Sequence, residues 1–177
     1  MDYLLLKWFN GFAGQYIWLD ILGIVMAEFL ILSLPLIIFL VYFLSKRRKN
    51  LLSVIFKIIF SLALVCALNY LISLIFTRQR PFVDNKEIYQ LAKFFNTTTD
   101  YSFPSCHTAI AFAMAFVVLL DWRKFGIILL ISALIVGMGR VFVGIHYPTD
   151  ILGGILTALI SVCLINFIYK YFKYGNS

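Results

Sequence analysis

Five runs of almost unbroken apolar residues, at about 21–44, 51–76, 104–121, 125–141 and 149–170, divide the chain, and short polar segments separate them. Runs of this length approach the roughly 20 residues that an α-helix needs to cross a bilayer core. The pattern therefore predicts about five transmembrane helices. Ahead of them, "MDYLLLKWFNGFAGQYIWLD" reads as an interfacial helix with Trp8 and Trp18 at headgroup depth. It has an acid at position 2, no basic leader and no small-residue cleavage site, so it is not read as a cleaved signal peptide. A further segment, "KEIYQLAKFF" at 86–95, has the spacing of a short amphipathic helix lying on the membrane.

Composition agrees with the pattern. Hydrophobic residues make up 63% of the chain and charged residues 13%, against about 25% charged in a soluble domain. The whole chain, 1–177, reads as one integral membrane domain of the all-α class. Its net charge of +7 raises nucleic acid as a partner. The basic residues, however, sit in short clusters between apolar runs, which is how membrane topology is marked, and nucleic acid is set aside. "SKRRKN" at 45–50, "WRK" at 122–124 and Lys170 with Lys173 fall on one side if the helices alternate. The positive-inside rule makes that side cytoplasmic. The N-terminus, the 77–103 loop and the 140–148 turn then face outward. Three cysteines lack the spacing of a disulfide framework or a zinc site, and no metal is expected. "NTT" at 96–98 matches a glycosylation triplet that matters only in a secretory pathway.

Polar residues collect at the outward face. Arg78, Arg80 and Pro81 end the second run; Pro104, Ser105, Cys106 and His107 open the third; Arg140, His146 and Asp150 bracket the last turn. Both histidines of the chain belong to this set. Polar groups at such a level are costly and usually functional. The chemistry they suggest is that of phosphate. Guanidinium forks match phosphate oxygens. Pro104 suits the first position of a helix, leaving the amides near Ser105, Cys106 and His107 as an anion cradle. Pro148 does the same for the fifth run and puts Asp150 in its first turn. His146 can rest on that carboxylate and keep its other ring nitrogen for nucleophilic attack.

These residues resemble the type 2 phosphatidic acid phosphatase (PAP2) superfamily, which includes the vanadium haloperoxidases. Its pattern is K-x6-R-P, then P-S-G-H, then S-R-x5-H-x3-D. Here "PSCH" at 104–107 and "GRVFVGIHYPTD" at 139–150 carry the second and third blocks, and Arg80-Pro81 keeps the end of the first. The resemblance covers about 60–160. It implies a PAP2/haloperoxidase-like helical core and a hydrolase without cofactor. It further implies His146 as the nucleophile that becomes phosphohistidine, Asp150 as its orienter and His107 as the acid. Arg80, Arg140 and Ser105 would bind the phosphoryl group. Three departures stand out: Ser73 replaces the lysine, with Arg78 as a candidate substitute; Cys106 replaces a glycine but can still offer its amide; Gly139 replaces a serine. "LNYLISLIFTRQRPFV" at 68–83, with Glu28 and Asn69, looks like bacterial undecaprenyl-diphosphate phosphatases of the bacitracin-resistance type.

That branch implies a C55 isoprenoid diphosphate as substrate, hydrolysed at the extracytoplasmic face of the bacterial cytoplasmic membrane during carrier-lipid recycling. Other readings stay open at this stage. The substrate can be phosphatidylglycerol phosphate, phosphatidate or a lipid A phosphate, or the chain can bind or transport a lipid phosphate without turnover. Glu28 is either part of the substrate site or a neutralised packing residue, and Asn69 either touches substrate or bonds between helices. Arg78 and Arg80 have snorkelling to headgroups as an alternative. The oligomeric state and any lid role of loop 82–103 are not set by the sequence.

Overall fold

The computed structural model describes residues 1–91 and 101–174, and among them every regular element is helical. In chain order these are α1 (Asp2–Asn10), α2 (Ile17–Leu44), α3 (Leu51–Ile75), the short α4 (Pro81–Asp84), α5 (Cys106–Asp121), α6 (Arg123–Phe142) and α7 (Pro148–Tyr174). The helices α2, α3, α6 and α7 are long and apolar enough to cross a membrane. With its 16 residues, α5 spans only about 24 Å. It sits centrally, with Thr108, Ala109, Phe112, Met114 and Val118 buried against its neighbours. Most of its surface meets protein, and its first turn carries Cys106 and His107 of the polar cluster.

Alternation brings the basic segments to one end, as the charge pattern predicts. There Asp121 joins the two helical hairpins, accepting from Tyr42 (2.8 Å) and Asn50 (2.8 Å) while its carbonyl takes an Arg47 N–H. At the other end α1 is sewn onto the bundle. Lys7 meets Glu87 at 2.7 Å, and the Asn10 amide donates to the carbonyls of Tyr89 and Phe142.

Two local expectations change. The first helix stops at Asn10, and Gly14 turns the chain with φ of +78°, so Trp18 lies in the first turn of the span α2 rather than on the interfacial helix. Residues 86–91 are not helical. Glu87 is tied to Lys7 and Tyr3, Ile88 is buried, and the Tyr89 N–H donates to Asn10, so contacts with α1 override the amphipathic spacing. The remainder of that segment, and the triplet at 96–98, lie outside the described residues.

Glycines set the closest approaches. A Cβ on Gly154 would stand 2.6 Å from the Ser105 carbonyl and 3.2 Å from the Ala109 nitrogen, so α7 lies directly against the start of α5. A Cβ on Gly139 would stand 2.8 Å from the Ala27 nitrogen, where α6 meets α2. Backbone cannot step aside as a side chain can, and overpacking of this kind costs about 1–3 kcal/mol. Gly154→Ala is expected to lower the thermal midpoint measured in detergent micelles; an unchanged midpoint would contradict this packing.

Candidate active site

Three turns meet at one end of the bundle, and backbone hydrogen bonds lock them together. The Ser102 N–H donates to the Arg78 carbonyl (2.8 Å), and the Ser105 N–H to the Asp150 carbonyl (3.0 Å). Arg80 Nη1 donates to the Ile145 carbonyl at 3.3 Å. Arg80 caps α4, with Pro81 as its first residue. Pro148 opens α7 as the sequence predicts. Pro104 does not open α5: Ser105 is the cap and Cys106 the first helical residue. The Ser105 amide, spent on Asp150, therefore leaves the expected cradle. Cys106, His107 and Thr108 occupy the first-turn positions whose N–H groups have no partner within a helix.

Asp150 is the centre of this assembly and is fully buried. Its Oδ2 accepts from the Tyr147 N–H at 2.8 Å and from the Ser102 hydroxyl, and its Oδ1 accepts from Arg78 Nη1 at 2.9 Å. The back-bond to Tyr147 closes the N-terminus of α7 in the manner of half a capping box. His146 Nδ1 lies 3.5 Å from Asp150 Oδ2, which turns the other ring nitrogen away from the carboxylate. Burial pushes the His146 imidazole down to about 4, with Asp150 pulling the other way and Arg140 adding to the depression. It is neutral at pH 7.

His146 faces a cavity of about 750 Å³. Arg80, Arg140, His107, Cys106 and His146 form its polar head, and Ile31, Pro35, Leu62, Ile110 and Met114 continue it down the bundle as an apolar trough. Leu32, Tyr70 and Leu74 both line it and stay more than half exposed. The trough thus opens between α2 and α3 toward the lipid-facing surface. Two guanidiniums and a neutral imidazole at the head of an apolar groove suit an anionic group carried on a hydrocarbon tail.

The other predicted residues fall in three places. Asn69 and Ser73 line the cavity from α3. Asn69 is buried beside the Cys106 thiol, which also meets Cys66. Ser105 is buried and accepts from Thr108 at 3.0 Å. Arg78 lies behind the cavity wall, not in it. Its guanidinium spans Asp150 and Asp2, the latter at 2.6 Å, and stacks 3.7 Å from the centre of the Tyr147 ring. Two carboxylates hold it there. Glu28 also stands behind the lining, bonded to Arg140 Nη1 at 2.8 Å. Ser102 and Asp2 escaped sequence reasoning; only the nearness of Ser102 to "PSCH" pointed to it. Among the described residues no group of three or more His, Cys, Asp or Glu is placed to hold a metal ion.

Comparison with known proteins adds independent findings. The PAP2 superfamily profile matches residues 51–176. Undecaprenyl-diphosphatase BcrC of Bacillus subtilis (strain 168) is 32% identical over 162 residues, covering 90% of this chain and 80% of that protein. A Bacillus licheniformis protein named bacitracin transport permease protein BcrC is 30% identical over 161 residues, covering 90% and 76%. In fold, the chain is similar to the crystal structure of Aquifex aeolicus LpxE, with a TM-score of 0.69, 22% identity and 93% of each chain covered.

The depressed His146 has a consequence for stability. Between about 4 and its ordinary 6.5 the unfolded chain binds a proton there that the native protein does not, so stability rises with pH across this window. Acidification from 6.5 to 4 is expected to lower the unfolding midpoint, and a His146→Gln variant to lose less over the same range. Equal losses in the two proteins would refute the assignment.

Proposed function

This chain belongs to the PAP2 superfamily and is a lipid phosphatase, and on that premise we propose that it converts undecaprenyl diphosphate to undecaprenyl phosphate and inorganic phosphate. The convergence of His146, His107, Arg80 and Arg140 at the head of one apolar cavity carries the reaction. The name of the Bacillus subtilis relative supports the substrate.

The terminal phosphoryl group sits between the two guanidiniums and the first-turn amides of α5. His146, neutral and oriented by Asp150, attacks phosphorus through the ring nitrogen facing the cavity. As the P–N bond forms and the P–O bond breaks, His107 gives its proton to the departing oxygen. Water then attacks the phosphohistidine, His107 takes the water's proton, and the P–N bond breaks to release phosphate. Arg80, Arg140 and the amides meet the charge that grows on the phosphoryl oxygens. Asn69, buried in the cavity wall, meets the phosphate that stays with the lipid. A phosphate monoester leaves more easily than an alkoxide, which suits a site with Ser73 in place of a lysine.

The prenyl tail lies in the trough and leaves between α2 and α3. The site faces the extracytoplasmic side of the bacterial cytoplasmic membrane; the basic clusters at the far end of the bundle support that orientation. A transport reading, favoured by the name of the Bacillus licheniformis relative, needs cations and amides but has no use for an oriented nucleophile.

Purified protein in detergent with a chelator is expected to release phosphate from undecaprenyl diphosphate faster than from phosphatidylglycerol phosphate or phosphatidate. His146→Ala should release none. Preference for a glycerolipid would replace the substrate, and absence of release from all three would favour the transport reading.

A further inference from the structure

Glu28 has no part in the reaction as described so far, yet its placement is unusual. A carboxylate 1% exposed in a membrane span is costly unless its charge is met. It sits in a π-helical turn, Val25–Phe29, that interrupts α2. Such turns are rare and cluster at functional sites. The turn lies against Gly139, where a Cβ would come within 2.8 Å of the Ala27 nitrogen. A side chain at 139, including the serine of the family pattern, would push α2 away. The glycine therefore admits the turn, and the turn brings Glu28 to the residue after it, Arg140.

The carboxylate then divides between two groups of the polar head. Oε1 accepts from Arg140 Nη1 at 2.8 Å. Oε2 lies 3.7 Å from Nε2 of His107, an ion-pair distance. On the other side of the cavity head, Asp150 holds the same relation to His146 at 3.5 Å. Each histidine therefore has its own buried carboxylate, contributed by a different helix. The charged groups facing His107 are Glu28 from α2, Arg140 from α6, and Arg80 and His146 from the connecting turns. All but Glu28 are cationic or become so on protonation. Glu28 is the one carboxylate among these groups.

We propose that Glu28 is a positioning residue that acts through His107, keeping it in the proton-bearing form that the leaving oxygen needs, while anchoring Arg140 toward the phosphoryl group. The inference rests on the phosphatase reading above and deepens it: the glutamate does not touch substrate but sets the acid. The bond changes are those already given; Glu28 steadies the proton on His107 before transfer and receives none.

Leaving-group dependence separates this role from packing. An alkyl phosphate needs its leaving oxygen protonated, whereas 4-nitrophenyl phosphate expels a stable anion. Both would be assayed in the same micelles for wild type, Glu28→Gln, Glu28→Asp and His107→Ala. Glu28→Gln keeps an oxygen for Arg140 and removes the charge. It should lower kcat for the alkyl phosphate by about tenfold or more, part of the 10²–10⁴ that a general acid contributes, and change the aryl phosphate little. The ratio of the two rates cancels any loss of folded protein. Glu28→Asp should retain the wild-type ratio, and adding Glu28→Gln to His107→Ala should leave that variant's ratio unchanged. An unchanged ratio in Glu28→Gln, or a further fall in the double variant, would overturn the proposal while leaving the phosphatase reading intact. Failure of the wild type to release phosphate from undecaprenyl diphosphate in the same micelles would overturn the reading itself.

Discussion

The structure of the end of the bundle that carries the polar cluster depends on one buried carboxylate. Asp150 ties Ser102, Arg78 and the Tyr147 amide to itself, lies beside His146, and through its carbonyl holds the Ser105 N–H. A single residue thus joins the ends of α3, α5 and α7. Removing one partner from a buried charge costs more than the pair contributes, typically 3–5 kcal/mol. The same group that would orient the nucleophile therefore holds the three turns in register. Arg78 and Asp2 extend the cluster to α1, so α1, the start of α7 and the site form one electrostatic unit.

Around that unit the bundle solves a problem of solvent. A phosphate needs cations and N–H groups, and its tail needs hydrocarbon. The first turn of the short α5 lines the polar head with Cys106 and His107, which brings helix-terminal amides to the cavity. The trough runs down from there along α2, α3 and α5 and opens laterally. Glycines at 139 and 154 permit the two close approaches that bring Glu28 to Arg140 and α7 to Ser105. Small residues thus govern the geometry of large charged ones.

Much of this was legible in the sequence because apolar runs and basic clusters obey the solvation rules of a bilayer. The five helices, their alternation and the convergence of His107, His146, Asp150, Arg80 and Arg140 at one end all follow from length and spacing. What was not legible depends on partners far apart in the chain. Nothing local reveals that Arg78 would choose Asp2 and Asp150 over the cavity, or that Ser102 would reach Asp150. The π-turn that delivers Glu28 has no periodic signature. The segment 86–91 carries helical spacing, but its backbone and side chains are taken by α1. Pro104 looked like a helix start, yet the Ser105 amide pairs across to Asp150 and the helix begins later.

The central claim is that phosphorus is transferred to His146 before it reaches water. Phosphohistidine survives alkaline quenching, so the most direct measurement is mass spectrometry of peptides from enzyme quenched in alkali during turnover of the lipid diphosphate. The account predicts one phosphoryl group on the peptide containing His146 and none on that containing His107. Rapid turnover with no phosphorylated histidine, or with the label on His107, would contradict it.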